Sequence, residues 1–150
     1  MLAHVELALS RVHPARRQAA GGPAAGSLER WASVVQTASE PCLAVDGDGV
    51  IQAVSEACCE LLGFDDPGAV IGNSLSGGIL RLLDFTSCGA ELTPAELQKI
   101  PPLLAITSGR LARGLLRVQV PDDVVTLDAV ATPLWDGQRV AGSLTFFALI

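Results

Sequence analysis

The stretch from Cys42 to Phe64, CLAVDGDGVIQAVSEACCELLGF, decides the fold. Cys42 to Val45 is a short β-type run, and Asp46-Gly47-Asp48-Gly49 follows it. Paired Asp-Gly steps supply the positive φ angles of a tight hairpin turn. A second β run, Val50 to Val54, sets Ile51 and Ala53 on one face and Gln52 on the other. Ser55 then stands where a helix N-cap belongs, with Glu56 in the first turn, Leu61-Leu62 further on and Gly63 just past the end. This acid-first, glycine-last arrangement satisfies the exposed amides and carbonyls of a short helix.

The order of hairpin, Asp-Gly turn, capped helix and Leu-Leu-Gly-aromatic resembles the opening of a PAS domain, and Val70-Ile71-Gly72 continues the likeness. The last third of the chain is similar to the C-terminal half of that family. Leu116, Val118 and Val120 alternate with Arg117 and Gln119, and Pro121-Asp122-Asp123 makes a turn. Val125, Leu127, Ala129 and Ala131 then alternate with Thr126 and Asp128, Asp136-Gly137 marks a second hairpin, and Val140 to Phe147 closes the sheet. The resemblance implies an α+β fold with a PAS-like five-stranded antiparallel sheet, helices on one face, and an N-terminal helical extension. On this reading residues 1–26 are an amphipathic helix and Gly/Ala-rich linker, and residues 27–150 are the PAS-like domain.

Between these halves, Leu75 to Phe85 (LSGGILRLLDF) reads as a turn and a short helix. Thr93-Pro94-Ala95-Glu96 is a capping box with proline at the first helical position. Pro101-Pro102 interrupts the helix that starts there, and Leu103 to Ile106 resumes it up to Gly109. Upstream, Ser27 to Thr37 forms a helix with Ser27 as N-cap and Leu28, Trp31, Val34 and Val35 on one side. Trp31 is either an interface anchor or a cap on the domain's own core.

Composition bounds the function. At 150 residues, 49% apolar and 17% charged, the chain can bury roughly 70% of its unfolded surface without a metal or disulfide staple. Its net charge is −6. Residues 1–30 balance at +2 and the remainder at −8, so an acidic body argues against direct binding of nucleic acid. No apolar run reaches the roughly 20 residues of a membrane span, and the N-terminus does not read as a signal peptide, so cytoplasm is the expected compartment. Four cysteines lack any C-x-x-C pair, and both histidines, His4 and His13, fall in the N-terminal segment. No metal site is expected from that spacing.

The resemblance raises the question of a cofactor. Flavin-reactive members of the family carry a cysteine in a Gly-x-Asn-Cys-type motif, and the matching residues are Gly72-Asn73-Ser74-Leu75, with no cysteine. Haem-binding members offer a histidine, and none follows His13. No flavin, haem or other cofactor is therefore expected. A catalytic site is not expected either, because no base is paired with a Ser or Cys nucleophile and the Asp65-Asp66 and Asp122-Asp123 pairs fall in turns.

What remains is a signal-sensing or protein-interaction module of a bacterial-type regulatory system, binding a small apolar ligand or acting as a dimerisation scaffold. The alternatives are a ligand-free docking domain and, more remotely, a small α/β enzyme. An apolar pocket would be lined by the inward positions Leu97, Ile100, Leu104, Leu116, Val118, Leu127 and Leu144. Leu2, Val5, Leu9 and Val12 keep the three-four spacing of a helical seam. With Trp31 and Phe147 they form a candidate interface, the seam packing within one chain or across a homodimer, with a regulatory protein as a further partner.

Overall fold

The computed structural model describes residues 26–150. Leu2, Val5, Leu9 and Val12 lie outside the described residues. In chain order the elements are α1 (Ser27–Thr37), β1 (Cys42–Asp46), β2 (Ile51–Val54), α2 (Glu56–Leu62), α3 (Pro67–Val70), β3 (Arg81–Leu83), α4 (Pro94–Leu97), α5 (Pro101–Ser108), β4 (Ala112–Val120), β5 (Asp123–Asp136) and β6 (Arg139–Leu149). The strands form one antiparallel sheet in the order β2-β1-β6-β5-β4-β3.

The sheet thus has six strands among the described residues, not the five expected. The additional one, β3, pairs Arg81–Leu83 with Arg117–Gln119. It falls inside Leu75–Phe85, where a turn and short helix were expected. Three residues are too few to show a period, so the pairing partner sets the conformation there.

The hairpin and helix of residues 42–64 form as the sequence implies. The Ser55 hydroxyl accepts from Cys58 N–H, Gly63 ends α2 in the left-handed region at φ 76°, and Phe64 N–H donates to the Cys59 carbonyl. The turn differs in one respect, since only Gly49 of the two glycines takes positive φ. Asp46 organises that turn instead, its Oδ1 accepting from Asp48 and Val50 N–H. A register shift at Ala44/Val45 also separates Ile51 from Ala53, the first joining the main core and the second packing under α1.

α4 opens on the expected capping box, Thr93 and Glu96 each accepting from the other's main-chain N–H. Its interruption is real, but the prolines begin α5 rather than merely break a helix. They occupy its first two positions, where a missing amide donor costs nothing. α1 starts one residue earlier than expected: Gly26 is the N-cap, and Ser27 N–H is taken by the Asp136 carboxylate at 2.9 Å.

Both faces of the sheet are covered in part. On the inner face α2 to α5 enclose a core that includes Leu43, Ile51, Cys58, Leu103 and Leu127. On the outer face α1 lays Trp31 and Val35 over Cys42, Ala44, Leu134 and Leu144. That outer layer corrects the expectation that all helices lie on one face.

Candidate functional site

Strand β6 carries the main departure from the expected site. Its residues alternate, and the side taken as inward is the outer one. Leu144 is buried beneath α1 with Trp31, so it cannot share a pocket with Leu127. Phe147, expected on the exposed side as an interface residue, is 4% exposed and packs in the inner core with Leu127 and Ala129. Trp31, at 7% exposed, likewise caps the domain's own sheet. On the inner face Ser143 donates its hydroxyl to the Pro102 carbonyl at 2.7 Å. The Thr145 hydroxyl, buried on that same side of β6, has no hydrogen-bond partner among the described residues. Neither hydroxyl was singled out from sequence, because nothing in an alternating run says which face of a doubly covered strand meets the helices.

Four of the remaining expected lining residues, Ile100, Leu116, Val118 and Leu127, do come together as buried members of the inner core, with Leu97 half-buried against them. Leu104 is 39% exposed, because its side of α5 turns away from the sheet. Where α5 approaches β4 and β5, small residues fill the contact, with Ala105, Ala112 and Ala131 in one cluster.

The open space lies at the sheet edge instead. A groove of about 390 Å³ runs along β4 beside α4 and α5. Ile100, Leu104 and Leu116 line it together with residues not anticipated, among them Phe85, Lys99, Arg113 and Leu115. A second groove of about 300 Å³ holds Leu97 with Leu75, Leu82 and Leu92.

Two of the basic side chains of the first groove are engaged by neighbours. Arg113 forms a bidentate pair with Asp128, at 3.1 and 2.6 Å. That hydrogen bond holds the Asp128 carboxyl below its usual range and raises Arg113. Arg117 donates to the carbonyls of Asp84 and Thr86. Burial pushes the thiols of Cys42, Cys58 and Cys59 up, which keeps them protonated and unreactive. Cys88 alone among the four is exposed. Among the described residues no three His, Cys, Asp or Glu side chains are placed to hold a metal ion. No helix among them is long and apolar enough to cross a membrane.

Comparison with known proteins agrees with this architecture. A family model described as the PAS fold matches residues 29–80. No curated protein matches. Among solved structures, a PAS domain from Colwellia psychrerythraea is similar over 82% of this chain and 96% of its own, at 16% identity and a TM-score of 0.57. A LOV protein of Rhodobacter sphaeroides is similar over 83% and 66%, at 14% identity and a TM-score of 0.61. The Vibrio cholerae VqmA dimer is similar over 82% of this chain and 51% of its own, at 21% identity and a TM-score of 0.58. The match therefore spans about half the length of VqmA. Residues 26–150 have the PAS fold, and the PAS family model matches residues 29–80 of them.

Proposed function

We propose that this chain is a signal-transduction module of a bacterial-type regulatory system that works by docking and dimerisation rather than by enclosing a ligand within its sheet. The observation that carries this reading is the filling of the inner face. Phe147 and Leu127 meet Ile100, Leu116 and Val118 in one buried cluster, in the space where a ligand would be enclosed. Side chains packed at interior density leave no room larger than a water. Cytoplasm is the compartment this reading assigns. Nucleic acid is not a direct ligand in it, because residues 26–150 hold fifteen acidic and seven basic side chains.

Native mass spectrometry of protein purified from cells tests the proposal. The expected mass is that of a homodimer of the polypeptide with nothing else bound. A small molecule retained at one equivalent per chain would overturn it.

A second reading, a sensor of a small apolar ligand, is favoured by the groove beside β4. Its volume of about 390 Å³ falls within the roughly 300–1,000 Å³ of small-molecule sites, and Ile100, Leu104 and Leu116 give it an apolar wall. The similar VqmA structures include a complex with DPO and a dimer, so this fold is seen elsewhere in both settings. A retained ligand whose binding is lost in Leu104→Glu would establish this second reading.

A further inference from the structure

Strand β4 has one edge that is paired only in part. β5 runs along the other edge over its whole length, from Ala112 to Val120, whereas β3 covers only Arg117–Gln119. The direction of the uncovered main-chain groups follows from the hydrogen bonds of β3. Its Leu82 carbonyl accepts from Leu92 N–H, and beyond it Asp84 N–H donates to Ala90. Both of those residues therefore turn away from β4, and Arg81 and Leu83 are the ones whose main chain faces it. Leu83 stands opposite Arg117, so Arg117 faces β3. By the period of two, Leu115 and Arg113 present their N–H and C=O groups in the same direction. The chain has left the sheet by then, bending away at Phe85. Four main-chain hydrogen-bonding groups thus look into the groove of about 390 Å³.

The walls of that groove combine apolar surface with positive charge. Phe85, Leu104 and Leu115 are 59%, 39% and 51% exposed. Lys99, Arg113 and Arg117 line it against a single acid, Glu96, so it collects three of the seven basic side chains of residues 26–150, a region of net charge −8. Arg113 is shared with Asp128, and Glu96 is engaged by Thr93 N–H. Lys99 and Arg117 form no ion pair with a described residue.

We propose that this groove takes an extended, acidic segment of a partner protein, which adds to the sheet as a strand along the free edge of β4. An unpaired edge selects extended backbone whatever its sequence, and the side walls select its side chains. Charge complementarity selects an acidic strand over a second copy of this chain, because edge-to-edge pairing of two copies would set Lys99 and Arg117 against the same cations. The inference rests on the interaction-module reading and names its site and partner class.

The test uses the full chain and two fluorescein-labelled hexapeptides, Val-Asp-Val-Glu-Val-Asp and Val-Lys-Val-Lys-Val-Lys, followed by fluorescence anisotropy. The acidic peptide is expected to bind, more weakly as salt rises, and the basic one not to bind. Leu115→Pro removes an N–H that faces the groove and leaves the β5 ladder intact, a change tolerated on an edge. Affinity is expected to fall about tenfold or more with that lost hydrogen bond. Lys99→Glu, at an exposed position outside the core, is expected to weaken binding without altering the circular dichroism spectrum. No binding of the acidic peptide at millimolar concentration, equal binding of both peptides, or full binding by a folded Leu115→Pro variant would each overturn the proposal. These outcomes are independent of the native mass, so failure here is distinguishable from failure of the interaction-module reading.

Discussion

The Ser143 hydroxyl donates to the Pro102 carbonyl across 2.7 Å of buried interior, joining the middle of β6 to the first turn of α5. Helices on a sheet usually meet it through apolar side chains, and α5 does so through Ala105 and Leu103. The hydroxyl adds a fixed point that sets how far α5 slides along the strands. Ser143→Ala is expected to cost about 1 kcal/mol, the usual net value of such a bond. Urea unfolding at neutral pH measures it, and an unchanged midpoint would mean that α5 is positioned by packing alone.

The two faces of the sheet are separate layers, which makes a second prediction. Leu127 lies in the inner core and Leu144 beneath α1, at 0% and 1% exposure. Either one changed to Ala should destabilise by roughly 2–5 kcal/mol. Because they share no cluster, the double variant should lose the sum to within about 0.5 kcal/mol. A marked shortfall from additivity would place both residues in one packing unit.

These two leucines also mark what the sequence could and could not disclose. The hairpin and helix of residues 42–64 were legible because their signals are local: Asp46 in the turn, Ser55 at the cap, Gly63 at the end. The capping box at Thr93 and the prolines at 101 and 102 were legible for the same reason. The facing of β6 was not, because Leu144 and Phe146 alternate with Phe147 and both sides are apolar. Alternation fixes which residues share a face, but only the partner layers decide which face is inner. Here α1 covers one side and α2 to α5 the other. The open groove beside β4 was hidden too, since it exists where β3 stops after three residues. Ile100 and Leu116 lie buried in the inner core, while Leu104 sits on the solvent side of a helix too short to show its phase.

A third prediction concerns acid. The Arg113 hydrogen bond holds the Asp128 carboxyl below its unfolded value, so the folded state binds that proton less readily than the unfolded state. The pair's contribution is therefore complete above about pH 4, the unfolded carboxylate range, and is lost as pH falls through the lower folded value. Asp128→Asn should reduce stability at pH 7 and have a smaller effect at pH 3. A stability difference independent of pH would assign the effect to packing instead.

The protein purified from cells should be colourless. Residues 72–75 carry no cysteine for a flavin adduct, and residues 26–150 contain no histidine for haem. Cys58 and Cys59 are buried on α2 with their thiols pushed up, a poor state for attack on a ring. A flavin or Soret absorbance at one equivalent per chain would refute this.

Self-association is the last prediction, and the outer face of the sheet motivates it. α1 covers β1, β2 and the neighbouring ends of β5 and β6, but not the far side. There Leu115 is half exposed and Val130 only half-buried, and Phe146, opposite Val130 on β6 at the margin of the α1 cluster, is half-buried too. Adding cover to such a stripe removes apolar surface from water at about 25 cal/mol per Å². The seam Leu2, Val5, Leu9 and Val12 has the spacing to supply that cover, either in its own chain or across a two-fold axis. We expect the second, a homodimer at micromolar concentration by light scattering. Removing residues 1–25 should shift it towards monomer while leaving the fold intact, since the main-chain N–H of Ser27 is held by Asp136. Phe146→Glu in the full chain should do the same without shortening it. A full-length chain that is monomeric at these concentrations would overturn the dimer, and the seam would then be assigned to its own sheet.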